Sequence, residues 1–319
     1  MLLATIRDWC PADPREPGSP EWSALADSTK KVWRGHVDRI EARWGHQPIV
    51  LWDDPRMVEM VVKWRDERGA TTPRGADIGI TVLQALLEFA RLRGRVTINV
   101  ARDIPTLYKG GDRADIVWTA EDVARFEATA MTQDPPRPQI VDVLRLAAAT
   151  GLRRQDLVTL TWGQIGEFAI VKKALKRSRG KRQRAVIPHT PQLEAVLADL
   201  RTRHRQDGVD TVLVNSFGRS WSGDGLGGAF NEVRDLANVV HVDDEGRSRR
   251  KHLHDVRGTF CTMLLTEWDL TDDEAGDIMG WAPGRVAQIR KVYVDHKRVI
   301  VALGERIAAK QFAKQAGSE

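Results

Sequence analysis

A chain of 319 residues with 42% hydrophobic content exceeds what one small core organises, and divides most naturally into one domain of about 100 residues and another nearer 200. No apolar run approaches the roughly 18–20 residues of a membrane span, and Arg7, Asp8 and Trp9 end the apolar start at Met1 too early for a secretory segment. A net charge of +5 is only a modest basic excess, and two cysteines far apart, Cys10 and Cys261, exclude a disulfide framework or cysteine metal site and fit a reducing cytoplasm.

In chain order, Trp33, Val37, Ile40 and Trp44 recur at helical spacing, so Ser28 to Gly45 is predicted as an amphipathic helix. A second helix is expected from about Pro55 to Glu67, with Met57, Val61 and Trp64 on one face. A third runs through Ile78, Leu83, Leu86, Leu87 and Ala90 and stops near Gly94. Trp22, Trp33, Trp44, Trp52 and Trp64 are assigned to the core of this helical domain. The segment Asp103–Arg113, broken by Pro105 and the Gly110–Gly111 pair, reads as an interdomain linker.

Thr119 followed by Glu121 and Asp122 opens a new helix. The next passes through Ile140, Val141, Val143, Leu144, Leu146 and Ala147 to a C-cap at Gly151. Beyond Trp162 the period changes. Phe168–Val171 and Ala185–Ile187 are short apolar runs around a basic stretch, predicting a β-hairpin or three-stranded sheet over about residues 167–188. Pro191 behind Thr190 opens a helix to about Leu200. Val242 to Arg250 is charged and expected to be a loop; the remainder is expected to be helical, with a capping box at Thr271–Glu274 and a stop at Gly280.

From Lys172 to Arg184 the chain carries Lys172, Lys173, Lys176, Arg177, Arg179, Lys181, Arg182 and Arg184 without an acid. A dense basic patch is the footprint of a polyanion. Cleaving a phosphodiester without a metal needs bidentate cations for the non-bridging oxygens, a nucleophile held in line, and an acid for the leaving oxygen. Arg153, just past a helix end with Asp156 in reach to orient it, is one candidate cation. His254 and Arg257, three apart on a predicted helix, face the same way. Tyr293 follows Trp281 by twelve residues and is one of only two tyrosines, the other being Tyr108 in the linker.

In order and spacing, Thr150-Gly151-Leu152-Arg153, His254-Asp255-Val256-Arg257 and Met279-Gly280-Trp281 ahead of Tyr293 make the chain resemble the tyrosine recombinase (phage integrase) family over its whole length. The resemblance implies a mainly α fold with a small antiparallel β-sheet, in a two-domain DNA breaking-rejoining enzyme. A helical core-DNA-binding domain would occupy residues 1–112 and a catalytic domain residues 113–319, with a C-terminal tail helix at about 297–314. It implies Arg153, His254, Arg257, Trp281 and Tyr293 as active-site residues, with Asp156 supporting the first arginine. It also implies a hairpin lysine as general acid, here Lys176, with Lys173 as runner-up. Lys172, Lys173, Arg177, Arg179, Lys181 and Arg182 would then contact DNA phosphates. Trp281 stands where many relatives have histidine; its indole can donate one hydrogen bond but cannot shuttle a proton.

The same resemblance implies cleavage through a 3′-phosphotyrosyl intermediate, with no metal, ATP or other cofactor. It further implies integration or excision of a phage or mobile element. The expected partners are double-stranded DNA with specific core sites, a homotetramer on that DNA, and accessory DNA-bending proteins, in a cytoplasmic, nucleoid-associated setting with no membrane. Strand relaxation of the type IB topoisomerase kind, or a catalytically inactive DNA-binding relative, are the alternatives. His252 and His296, beside the motifs, read as surface or phosphate-contacting. The segment before Ser28 has no room for a further arm-site-binding domain, so either simple sites are recombined or the chain is shortened.

Overall fold

The computed structural model describes residues 1–109, 113, 116–173, 184–281 and 299–308. By its contacts the chain divides into two compact units, Met1–Gly111 and Asp112–Glu319.

The first unit is helical: α1 (Leu2–Trp9), α2 (Pro20–Ser23), α3 (Asp27–Trp44), a 3-10 turn (Ile49–Asp53), α4 (Met57–Gly69) and α5 (Pro73–Leu92). Proline at the first turn of α5 removes a donor that has no partner there anyway. Its aliphatic face then buries Ile80, Leu83, Leu86, Leu87 and Ala90 against α1, α3 and α4. Trp44 lies 5.3 Å from Trp52 and 4.9 Å from Trp64, and Trp9 lies 5.1 Å from Trp22, so these indoles form the centre of the core. Trp33 packs on its edge, only partly buried. Asp77 of α5 accepts the main-chain N–H groups of Leu107 and Tyr108 at 2.9 and 2.8 Å, which anchors the segment leaving this unit.

The second unit contains α6 (Ala120–Met131), α7 (Pro138–Thr150), α8 (Arg154–Val158), β1 (Ala169–Lys173), β2 (Arg184–Pro188), α9 (Pro191–Arg201), α10 (Gly223–Leu236), β3 (Val240–Val242), β4 (Ser248–Arg250), α11 (Leu253–Thr266) and α12 (Asp272–Met279). Residues 299–308 are also helical. α7 is the hub, packed by α6, α9, α10 and α11. The capping boxes at Thr119–Asp122 and Thr271–Glu274 form, and Gly151 and Gly280 end their helices at φ of +60° and +61°.

β1 and β2 pair antiparallel, from Ala169 opposite Pro188 to Lys173 opposite Arg184. The pleat turns Ile170, Lys172, Ala185 and Ile187 inward and leaves Val171, Lys173 and Val186 outside. The segment expected as a charged loop is instead a second hairpin, β3–β4, with Val240 opposite Arg250 and Val242 opposite Ser248. Gly246 at φ +76° supplies its turn, and alternation was hidden because neither face of so short a ribbon is fully buried. No helix among the described residues is long and apolar enough to cross a membrane.

Candidate active site

The site is assembled where the ends of α7 and α12 meet the start of α11. Arg153 is the N-cap residue of α8, in extended conformation (φ −71°, ψ 152°) directly after the left-handed turn at Gly151. That turn throws the guanidinium off the helix axis, and it remains half-exposed, with Nη1 3.9 Å from the buried Asp156 carboxylate. At that separation the acid steers the arginine while leaving its other donors for a ligand.

α11 carries His254 and Arg257 in its first turns. Its N-terminus is fixed by a reciprocal cap, in which His252 N–H donates to Asp255 Oδ2 at 2.7 Å and the His252 side chain accepts from the Asp255 N–H. The His252 Nδ1 also faces Arg234 Nη1 at 3.1 Å; arginine can only donate, so this nitrogen is the acceptor and the proton sits on Nε2. His252 is exposed, in line with its reading as a surface residue, but its imidazole is committed to the helix cap rather than offered to phosphate. Asp255 additionally accepts Arg113 Nε at 3.1 Å and Nη2 at 2.5 Å, and Arg113 Nη2 donates to the Arg250 carbonyl at 2.9 Å.

Arg257 is 3% exposed and bridges two motifs. It donates to the carbonyl of Gly151 and, at 2.5 Å, to that of Met279. The chain ends of α7 and α12 are therefore tied to α11 through one guanidinium, whose carbon lies 5.5 Å from the Trp281 ring centroid. Trp281 is buried with Phe260, Cys261, Leu264 and Met279, and its ring lies behind the Arg257 guanidinium. Gly280 packs on β2: a Cβ there would lie 3.2 Å from the Ala185 nitrogen, which couples the hairpin to the Trp281 turn.

His254 is solvent-accessible at the mouth of this arrangement. Crowding by the folded chain first, then the charges of Arg257 and Arg153, lowers its pKa below the ordinary histidine value, against an opposing pull from Asp255. The Arg257 bond to the Gly151 carbonyl, two residues before Arg153, brings two widely separated stretches of sequence into a single neighbourhood around this imidazole.

Two hairpin residues fall on opposite sides of the pleat. Lys173 is exposed. Lys172, expected among the phosphate contacts, is corrected by the structure: it is 3% exposed, with Nζ donating to the Thr159 carbonyl at 2.5 Å and to Gln164 Oε1 at 3.0 Å. A basic run gives no sign of which member faces inward; the pleat decides it. Tyr293, Lys176, Arg177, Arg179, Lys181, Arg182 and His296 lie outside the described residues. Sequence reasoning missed Arg113, Arg234 and the capping role of His252 and Asp255. The three-residue spacing of a capping box was the available signal for the last pair.

The family model described as "Phage integrase family" matches residues 118–298. The chain belongs to the phage integrase family. It is accordingly a site-specific DNA recombinase of the tyrosine type. Among solved structures, a lambda integrase (75–356) dimer bound to a COC′ core site superposes with a TM-score of 0.66 at 16% identity, covering 84% of this chain and 89% of that one. A lambda integrase tetramer bound to a Holliday junction gives a TM-score of 0.65 at 17% identity, over 84% of this chain and 72% of that one. The Tn1549 transposon integrase in complex with circular intermediate DNA gives 0.63 at 16% identity, over 86% and 91% of the respective chains. At such identities the likeness establishes the shared fold. Comparison with curated proteins returns no match.

Proposed function

We propose that this recombinase breaks and rejoins DNA by attack of the Tyr293 hydroxyl on a scissile phosphate. The Oη–P bond forms as the P–O5′ bond breaks, giving a 3′-phosphotyrosyl link and a 5′-hydroxyl; the tyrosine proton is lost and Lys176 supplies one to the departing oxygen. Arg153 and Arg257 neutralise the non-bridging oxygens, with Asp156 steering the first and Trp281 backing the second. His254, neutral at pH 7, would hydrogen-bond one of those oxygens or relay a proton. Rejoining reverses the same step on a new 5′-hydroxyl, with the bond energy retained in the phosphotyrosine.

The observation that carries this reading is the Arg257 bond to the Gly151 carbonyl, which joins the turn bearing Arg153 to the helix bearing His254 and Arg257. The outward Lys173, with Arg177, Arg179, Lys181 and Arg182, would hold phosphates flanking the cut. The unit Met1–Gly111 would serve as the core-DNA-binding domain and the unit Asp112–Glu319 as the catalytic domain. The DNA-bound dimers and tetramers among the structural neighbours support duplex DNA as the partner and a tetramer on it, with residues 299–308 as part of a docking tail. Accessory DNA-bending proteins and a cytoplasmic, nucleoid-associated setting complete the reading, as does integration or excision of a mobile element.

The test is covalent capture. The full chain is incubated with a pool of nicked duplex fragments, denatured, and the DNA that remains attached is sequenced. Wild-type protein is expected to retain DNA with a shared sequence at the attached 3′ end, and Tyr293→Phe to retain none. Covalent complexes formed equally by the Tyr293→Phe variant would overturn the assignment.

A further inference from the structure

We propose that Lys172 is a positioning residue: its buried ammonium grips the C-terminal end of α8 and locks that helix, thereby fixing the Arg153 guanidinium. This role rests on the recombinase reading above only for its consequence in catalysis; the placement itself stands on geometry. Lys172 is the one basic side chain of β1 that the pleat turns inward, opposite the small Ala185, and it is 3% exposed. A buried lysine is costly without partners. Here Nζ donates to the carbonyl of Thr159, the C-cap of α8, at 2.5 Å, and to Gln164 Oε1 at 3.0 Å.

A cation at the C-terminal end of a helix meets the negative end of its dipole. At the other end of the same helix stand Arg153, its N-cap, and Asp156 in its first turn, 4% exposed. Asp156 is the acid whose charge acts on Lys172, offsetting part of the burial that lowers the lysine's pKa. α8 is only five residues long, so a constraint at its C-terminal end acts within about 8 Å of the arginine. Gln164 joins this grip to the 3-10 turn Trp162–Gln164, since its side chain also accepts the Thr161 N–H at 3.2 Å. A lysine facing phosphate would need none of these partners.

The test uses the site recovered by covalent capture and single-turnover cleavage at saturating DNA. Lys172→Met is expected to cleave about 100-fold more slowly, with Kd changed less than about twofold, because a misplaced guanidinium costs rate rather than binding. In an Arg153→Lys background the same change should cost less than about threefold, since the group it positions is already gone. An equal loss in both backgrounds, or a loss of affinity with a smaller salt slope, would overturn the role. Should Lys172→Met fail to fold, the Asp156→Asn/Lys172→Met double variant removes both charges together. It is expected to fold and to cleave as Asp156→Asn alone; a further drop below that single variant would overturn the role. An arm independent of activity reads the Arg153 Nε–H resonance of the 15N-labelled chain, identified by its loss in Arg153→Lys. It should shift in Lys172→Met, and an unmoved resonance would refute the positioning. If wild-type protein cleaves nothing, the recombinase reading fails while this resonance still decides the role of Lys172.

Discussion

Gly151 lies so close to Phe260 that a Cβ on the glycine would sit 2.3 Å from the ring carbon Cδ1. The glycine also holds φ +60°, which strains any L side chain. This contact seats the arginine turn on α11, and with it the Arg257 bond to the Gly151 carbonyl. Gly151→Ala combines left-handed strain with overpacking and is expected to cost about 2–4 kcal/mol of stability, read from urea denaturation. Phe260→Leu should relieve part of that loss when combined with it; a double variant no better than the alanine single would show that strain alone is responsible.

Arg257 supplies a second prediction. Its guanidinium reaches two main-chain carbonyls from two different helix ends, a span that a single ammonium cannot copy. Arg257→Lys is expected to lose about 2–4 kcal/mol of stability, since hydrogen bonds to charged groups are worth about 1.5–3 kcal/mol each. It should also abolish covalent capture at temperatures where it stays folded. Unchanged melting would mean that these carbonyl contacts contribute nothing to the assembly of the site.

The helices with strong caps were legible because local chemistry decides them. Thr119 with Asp122, Thr271 with Glu274, Pro191 behind Thr190 and glycine at 151 and 280 each satisfy or terminate backbone groups within a few residues. The motif arginines and His254 stood out through an order and spacing that resemble the integrase family, and the fold brings the two stretches that carry them together. What stayed hidden depends on contacts distant in sequence. Lys172 differs from Lys173 only by which side of the pleat it occupies, and Arg113 meets Asp255 across 142 positions. The β3–β4 hairpin was missed because a half-exposed three-residue strand shows no period.

Histidine titration supplies a third prediction. His36, His252 and His254 all have pKa values lowered in the fold, by burial first in each case, with Arg39 next for His36, Arg113 for His252 and Arg257 for His254. A depressed histidine binds its proton more readily when unfolded, so stability rises with pH between the folded value and the ordinary value of about 6.5. Acidification from about pH 6.5 to pH 5 should therefore lower the urea midpoint, before most carboxylates titrate. His36 is 7% exposed and its Nδ1 has no hydrogen-bond partner, so His36→Phe should flatten this dependence. A midpoint that rises on acidification across that window would contradict the sign.

The fourth prediction concerns Lys251, immediately before the α11 cap. Its Nζ donates to Asp122 Oδ2 and, at 2.7 Å, to the Val117 carbonyl, joining the start of α6 to the entrance of α11. Burial pushes the Asp122 carboxyl up, but Lys251 and the Thr119 N–H outweigh it and hold the group below its ordinary value. Its stabilising contribution is present above the unfolded value of about 3.9 and is lost as pH falls through the lower folded value. Both side chains are almost wholly buried, at 6% and 5% exposure, so removing one charge strands the other. Lys251→Met is expected to cost about 3–5 kcal/mol, while Lys251→Met combined with Asp122→Asn should recover a large part of it. Because α11 carries His254 and Arg257, the single variant should also cleave captured DNA sites more slowly at a temperature where it remains folded. A Lys251→Met protein with unaltered denaturation and cleavage would show that the pair neither supports the fold nor seats the helix that carries His254 and Arg257.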